Sequence, residues 1–159
     1  GVSMLLPSHA HVERSADMSV PAEAVFPHVA DYRNWGAWSP WAERDPNMKL
    51  TFDGPPTGIG ARMIWESDQD DVGSGMQETT DVEANRLFRS HLDFGDQGQA
   101  DAYFKFEPMG KGCRVTWGFD SELGINPIAR FCGLLFDKMI GPDYEKGLAN
   151  LKAIAEATL

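Results

Sequence analysis

Cysteine is scarce in this 159-residue chain, with only Cys113 and Cys132 present. Two thiols cannot make a disulfide framework, and alone they cannot make a zinc site. Both read as reduced, semi-buried side chains, because free cysteine packs as a small hydrophobe. No run approaches the ~18 apolar residues that span a bilayer, and no secretory signal is visible. Basic residues are also few, 14 Lys and Arg against 24 Asp and Glu, giving a formal charge of −10 at pH 7. Phosphate backbones and anionic headgroups repel such a chain, which argues against nucleic acid as a partner. Motifs for chemistry are missing as well. His9, His11, His28 and His91 show no metal-ligand spacing. There is no G-x-S-x-G and no glycine-rich phosphate loop, and Gly58-Ile59-Gly60 is short enough to be a turn. No cofactor, no metal and no catalytic residue are expected.

Hydrophobic residues at 42% and aromatics at 11% are enough for a packed core. A chain of this length is one domain and buries about 70% of the surface its unfolded form exposes. Gly1 looks like the scar of a cleaved tag. Met4-Leu5-Leu6-Pro7 reads as the stub of a longer hydrophobic segment, an expectation that a start codon at Met4 would sink.

Along the chain the hydrophobic period changes twice. His9 to Val20 alternates as a strand, with Val12, Ala16, Met18 and Val20 on one face and Arg14 breaking it. Pro21 opens a helix over Ala22 to Ala30, which Pro27 should shorten or bend. Asp31 to Pro46 is an aromatic connector in which Trp35, Trp38 and Trp41 recur every third residue. The period then becomes two through six strand segments separated by short turns, which argues for an antiparallel meander. From Asn126 onward it becomes helical. Ile128, Phe131, Leu135 and Met139 form one stripe, Tyr144, Leu148, Leu151, Ile154 and Ala155 a second, with a kink or break expected at Gly141-Pro142.

The expected architecture is α+β, a curved seven-stranded antiparallel sheet in the order β-α-α-β6-α, wrapped around a long C-terminal helix. Parity points Met63, Trp65, Met76, Phe88, Leu92, Phe94, Phe104, Phe106, Val115, Trp117 and Phe119 inward. These side chains either fill a solid core or line a ligand cavity. Glu78 shares the parity of Met76 and Val82. A carboxylate there would have its pKa raised by desolvation unless a cation such as Arg14 paired with it. Alternatively, a β-bulge turns Glu78 outward, or it sits at the open rim of the sheet. The tryptophan cluster either plugs one end of the sheet or, through Trp38 and Trp41, gates a cavity mouth.

Several stretches together resemble the START-like, helix-grip superfamily, in its polyketide cyclase/dehydrase and lipid-transport branch. They are Val12-Glu13-Arg14-Ser15 with Pro21-Ala22-Glu23-Ala24-Val25-Phe26; Asn34-Trp35-Gly36-Ala37-Trp38-Ser39-Pro40-Trp41; Gly58-Ile59-Gly60-Ala61 with Trp65; Val115-Thr116-Trp117; and Lys138 through Lys152. The resemblance implies a START-like domain over residues 9–159, after a stub at 1–8. It also implies a small hydrophobic ligand (lipid, polyketide or isoprenoid-like) held between sheet and C-terminal helix. The lining set expected on that basis is Met63, Trp65, Met76, Glu78, Phe94, Phe104, Phe106, Trp117, Phe119, Leu135 and Met139. Binding, transport or sensing without catalysis is the leading expectation, with a cyclase or dehydratase using the same cavity as the alternative. Members of the subgroup that the tail resembles often carry a hydrophobic N-terminal segment just before a Leu-Pro pair, as at Leu6-Pro7. The chain as given is therefore expected to be cytoplasmic, and membrane-anchored if such a segment precedes it.

Overall fold

The computed structural model describes residues 9–69, 72–95, 98–122 and 136–157. Strand β1 (His9–Met18) leads into helix α1 (Ala22–Ala30), a 3-10 turn (Tyr32–Ala37) and a short helix α2 (Pro40–Arg44). Six strands follow: β2 (Lys49–Asp53), β3 (Arg62–Glu66), β4 (Gly75–Glu83), β5 (Leu87–Asp93), β6 (Gln99–Met109) and β7 (Gly112–Glu122). Helix α3 (Phe136–Ala157) comes last. The seven strands form one antiparallel sheet in the order β1-β7-β6-β5-β4-β3-β2. The meander is thus as the period-two pattern implied, with β1 closing onto β7. The expected stripe Ile128, Phe131 and Leu135 and Cys132 lie outside the described residues.

Of the kink or break expected at Gly141-Pro142, the break is absent. Helix α1 runs past Pro27, and α3 continues through Gly141-Pro142 without a break. Both prolines are exposed, so water can donate to the carbonyl that a proline nitrogen leaves without a partner.

The aromatic connector is tied to α1 by the needs of a helix end. The last carbonyls of a helix have no intrahelical donor. Asn34 Nδ2 donates to Pro27 O at 3.1 Å, Trp38 Nε1 to His28 O at 2.9 Å and Trp35 Nε1 to Val29 O at 2.8 Å. Two indoles are thereby anchored at their polar edge while their faces enter the core, the arrangement that suits buried tryptophan. Trp38 is 1% exposed and meets Trp35, Phe104 and Trp117 with ring centroids 4.7, 6.0 and 5.6 Å away.

Helix α3 buries Tyr144, Leu148, Leu151 and Ala155, a stripe spaced 4, 3 and 4. It packs chiefly on β1, with further contacts to α1, α2 and β7. Its far end is pinned where Glu156 Oε2 accepts from Lys152 Nζ and from the backbone N–H of Ser19, both at 2.8 Å. Those donors, Lys152 first, hold the Glu156 carboxyl down to about 2. Gly147 sets how close α3 comes to the sheet. A Cβ there would stand 2.8 Å from Trp117 Cζ3 and 3.2 Å from Pro40 Cδ. Gly147→Ala is therefore expected to destabilise the domain by about 1–3 kcal/mol through overpacking, although alanine gains ~1 kcal/mol as a helix former. Denaturant melts of the two proteins check the sign.

Candidate functional site

The core is not filled everywhere. α1 covers one end of the sheet, where Phe26 packs edge-on against Phe106 at 5.3 Å. The tryptophans occupy the middle. Toward β2, β3, β4 and β5 a cavity of about 670 Å³ remains, reached by α2 on one side and by the start of the described α3 on the other. Its wall is mostly apolar: Leu50, Met63, Trp65, Leu92 and Phe119 from the strands, Phe94 just past β5, and Ile140 from α3. Trp35, Trp41, Trp117 and Tyr144 bound its inner end. There the Trp117 and Tyr144 rings stack with centroids 3.8 Å apart and planes 6° apart, and Trp41 stands edge-on to both. Trp65 forms the outer wall. Its indole lies over Gly75, where a Cβ would come within 2.6 Å of it, and meets Phe94 edge-on at 6.1 Å.

Met63, Trp65, Phe94, Trp117 and Phe119 thus stand at the cavity wall, as their parity implied. Phe104 and Phe106 are buried outside it, in the packed part of the core. Trp41 lines the cavity, whereas Trp38 is locked in the core by its rings and its hydrogen bond, so a gating role for Trp38 is corrected. Leu135 falls outside the described residues, and of Met139 only the backbone is described.

Met76 and Glu78 do not line the cavity, a correction to the expected lining set, and the β-bulge offered as the other reading of Glu78 is the one present. Pairing between β4 and β5 slips by one residue between Thr79 and Asp81. The extra residue of a bulge reverses parity along the strand. Val82 pairs with the buried Phe88, yet on the other side of the slip it is Gln77 and Thr79 that face inward, at 4% and 0% exposure. Glu78 is turned outward and bonded to Arg62, which also reaches Asp53 at 3.3 Å. Arg14 keeps inward parity but meets Glu145 at 3.5 Å and packs against Gly141, so it is not the partner of Glu78.

Sequence reasoning missed the polar groups the cavity does contain. Ser39, Gln77 and Tyr144 line it and are nearly fully buried. Arg44 and Asp143, joined by an ion pair between α2 and α3, sit at its rim. Burial drives the Tyr144 hydroxyl pKa upward, so the phenol stays protonated at neutral pH. One signal for the parity reversal was available. A carboxylate facing this interior unpaired costs several kcal/mol, a penalty that swapping Glu78 with Gln77 removes.

The outer face of the sheet is polar. His91 Nδ1 bonds Asp101 Oδ1 and its Nε2 bonds Gln99 Oε1, both at 2.9 Å. The hydrogen bond to Asp101 raises the His91 pKa above the ordinary 6.5. A raised histidine contributes stability that is complete below the unfolded value and fades as pH rises through the folded one. His91→Gln should therefore cost more stability at pH 5 than at pH 8, and an NMR titration of the imidazole should read a midpoint above 6.5. Among the described residues no three His, Cys, Asp or Glu side chains gather as a metal site. None of the described helices is long and apolar enough to cross a membrane.

The profile described as polyketide cyclase / dehydrase and lipid transport matches residues 9–156. The chain belongs to this family. Its fold is the family's helix-grip fold, and solved structures share it at low sequence identity. A Staphylococcus aureus protein of unknown function superposes with a TM-score of 0.71 at 10% identity, over 94% of this chain and 95% of that one. A Chromobacterium violaceum protein gives 0.67 at 14%, over 92% and 98%. The di-domain ARO/CYC StfQ of the steffimycin biosynthetic pathway gives 0.69 at 12%, over 94% of this chain and 51% of that one. Among the curated proteins, none matches.

Proposed function

We propose that this family member holds a small hydrophobic molecule between its sheet and α3, as a carrier or sensor and not as a catalyst. The observation that carries the reading is the cavity of about 670 Å³ with its largely apolar wall, within the range of small-molecule sites. Apolar surface removed from water there contributes about 25 cal/mol per Å². Acid–base chemistry is poorly provided for. The phenol of Tyr144 is held protonated, and Asp143, the only carboxylate at the cavity wall among the described residues, is paired with Arg44. Native mass spectrometry of protein purified from its own host, with lipid extraction, tests the reading. One specific species released on unfolding is the expected result. Protein that carries nothing, and takes up nothing from that host's lipid extract, would contradict it.

A cyclase or dehydratase in the same cavity is the second reading. It is favoured by the open polar atoms of Ser39, Gln77 and Tyr144, and by likeness in fold to an aromatase/cyclase. Turnover of a poly-β-ketone substrate would select it. We also propose that a hydrophobic segment before Leu6-Pro7 tethers the domain to a membrane, and the genomic reading frame tests that separately.

A further inference from the structure

One row of inward residues crosses three strands at the cavity wall. Met63 pairs with Gln77, and Gln77 with Leu92. Gln77 is the polar member of an otherwise apolar row, and the Ser90 hydroxyl behind it holds its carboxamide oxygen. Thr79 Oγ1 donates to the Tyr32 hydroxyl at 2.9 Å, and Ser90 Oγ donates to Gln77 Oε1 at 2.7 Å.

Each hydroxyl has a single proton. Ser90 spends its proton on Gln77 Oε1, and Thr79 gives its own to the Tyr32 hydroxyl. Gln77 Oε1 is thereby taken by Ser90. The two N–H groups of Gln77 Nε2 have no partner among the described residues. Among the described residues no occluded side-chain nitrogen or oxygen lacks a partner, so this amide nitrogen is accessible from the cavity that Gln77 lines.

We infer that Gln77 is the polarity filter of the cavity, a fixed donor that selects an apolar guest carrying a hydrogen-bond acceptor, such as a ketone or ester carbonyl, beside its hydrocarbon surface. A guest without an acceptor leaves a buried N–H pair unsatisfied, and a guest offering an N–H meets a second donor. Sites built around a buried polar group discriminate more sharply than apolar walls do. The inference rests on the binding reading above.

Three bicyclic probes of nearly equal shape test it: 1-tetralone with a carbonyl, tetralin with neither donor nor acceptor, and 1,2,3,4-tetrahydroquinoline with an N–H. Their dissociation constants are measured for the wild type and for Gln77→Met. The wild-type preference for tetralone over tetralin is expected to fall roughly 2–12-fold in the variant, the worth of one hydrogen bond. Comparing variant with wild type cancels the probes' different solubilities. The carbonyl stretch of tetralone bound to the wild type, expected below its value in hexane, reads the same contact without any variant. A preference unchanged by the substitution, a carbonyl stretch as in hexane, or tetrahydroquinoline favoured over tetralone would overturn the inference and leave the binding reading intact. Failure of both tetralone and tetralin to bind the wild type would remove the binding reading, and this inference with it.

Discussion

Trp117→Ala is expected to cost about 3–5 kcal/mol of folding stability, the range for deleting a buried aromatic ring. Trp117 is 2% exposed and joins three layers. Its indole stacks on Phe104 at 4.8 Å and on Tyr144 at 3.8 Å, and it meets Trp35, Trp38 and Trp41 edge-on. Removing the ring takes away the platform that seats α3 and the surface against which Gly147 fits. The surrounding rings are held by hydrogen bonds to the end of α1, so they cannot collapse freely into the gap, and the loss should fall at the upper end of the range. In a thermal scan that corresponds to a midpoint lower by roughly 6–20 °C for a domain of this size. Retention of the wild-type midpoint would mean that α3 is seated by something other than this stack.

Ala102→Trp is expected to act in the opposite way, abolishing most binding while sparing the fold. Ala102 is 5% exposed, lies on β6 and lines the cavity. An indole at this position grows into open space, so the usual overpacking cost of a tight core does not apply in full. Denying a guest about 100 Å² of apolar contact forfeits roughly 2.5 kcal/mol, which is nearly two decades in affinity. Calorimetry with 1-tetralone reads the affinity, and a melting curve reads the fold. Undiminished affinity in a folded variant would place the guest elsewhere.

Much of this architecture is legible in the sequence. Period-two alternation gives all six later strands, and short turns between them leave little choice but an antiparallel meander. The 4, 3, 4 spacing from Tyr144 to Ala155 gives the buried face of α3. The bulge in β4 is what conceals the polar part of the site. Thr79, Thr80 and Asp81 are compatible with regular pairing, so alternation carried inward from Val82 selects Met76 and Glu78. The structure puts Gln77 and Thr79 there instead. The cavity is illegible for a different reason. Alternation says which side of a strand faces in, but not whether the opposite wall arrives. That depends on α3 leaning toward β1 rather than over β2, β3, β4 and β5. Tyr144 reads as one more apolar position for the same reason, because its hydroxyl matters only once a cavity opens beside it.

The most direct measurement of the central claim is a tetralin titration of protein labelled at its methionine methyl groups with carbon-13, followed by NMR. Met48 and Met63 line the cavity. Met18 is buried away from it, Met76 lies on the outward face of β4, and Met109 is exposed. The account predicts saturable shifts at Met48 and Met63, with Met18, Met76 and Met109 unmoved. Shifts that never saturate, or that appear at Met109 while Met48 and Met63 stay still, would contradict it.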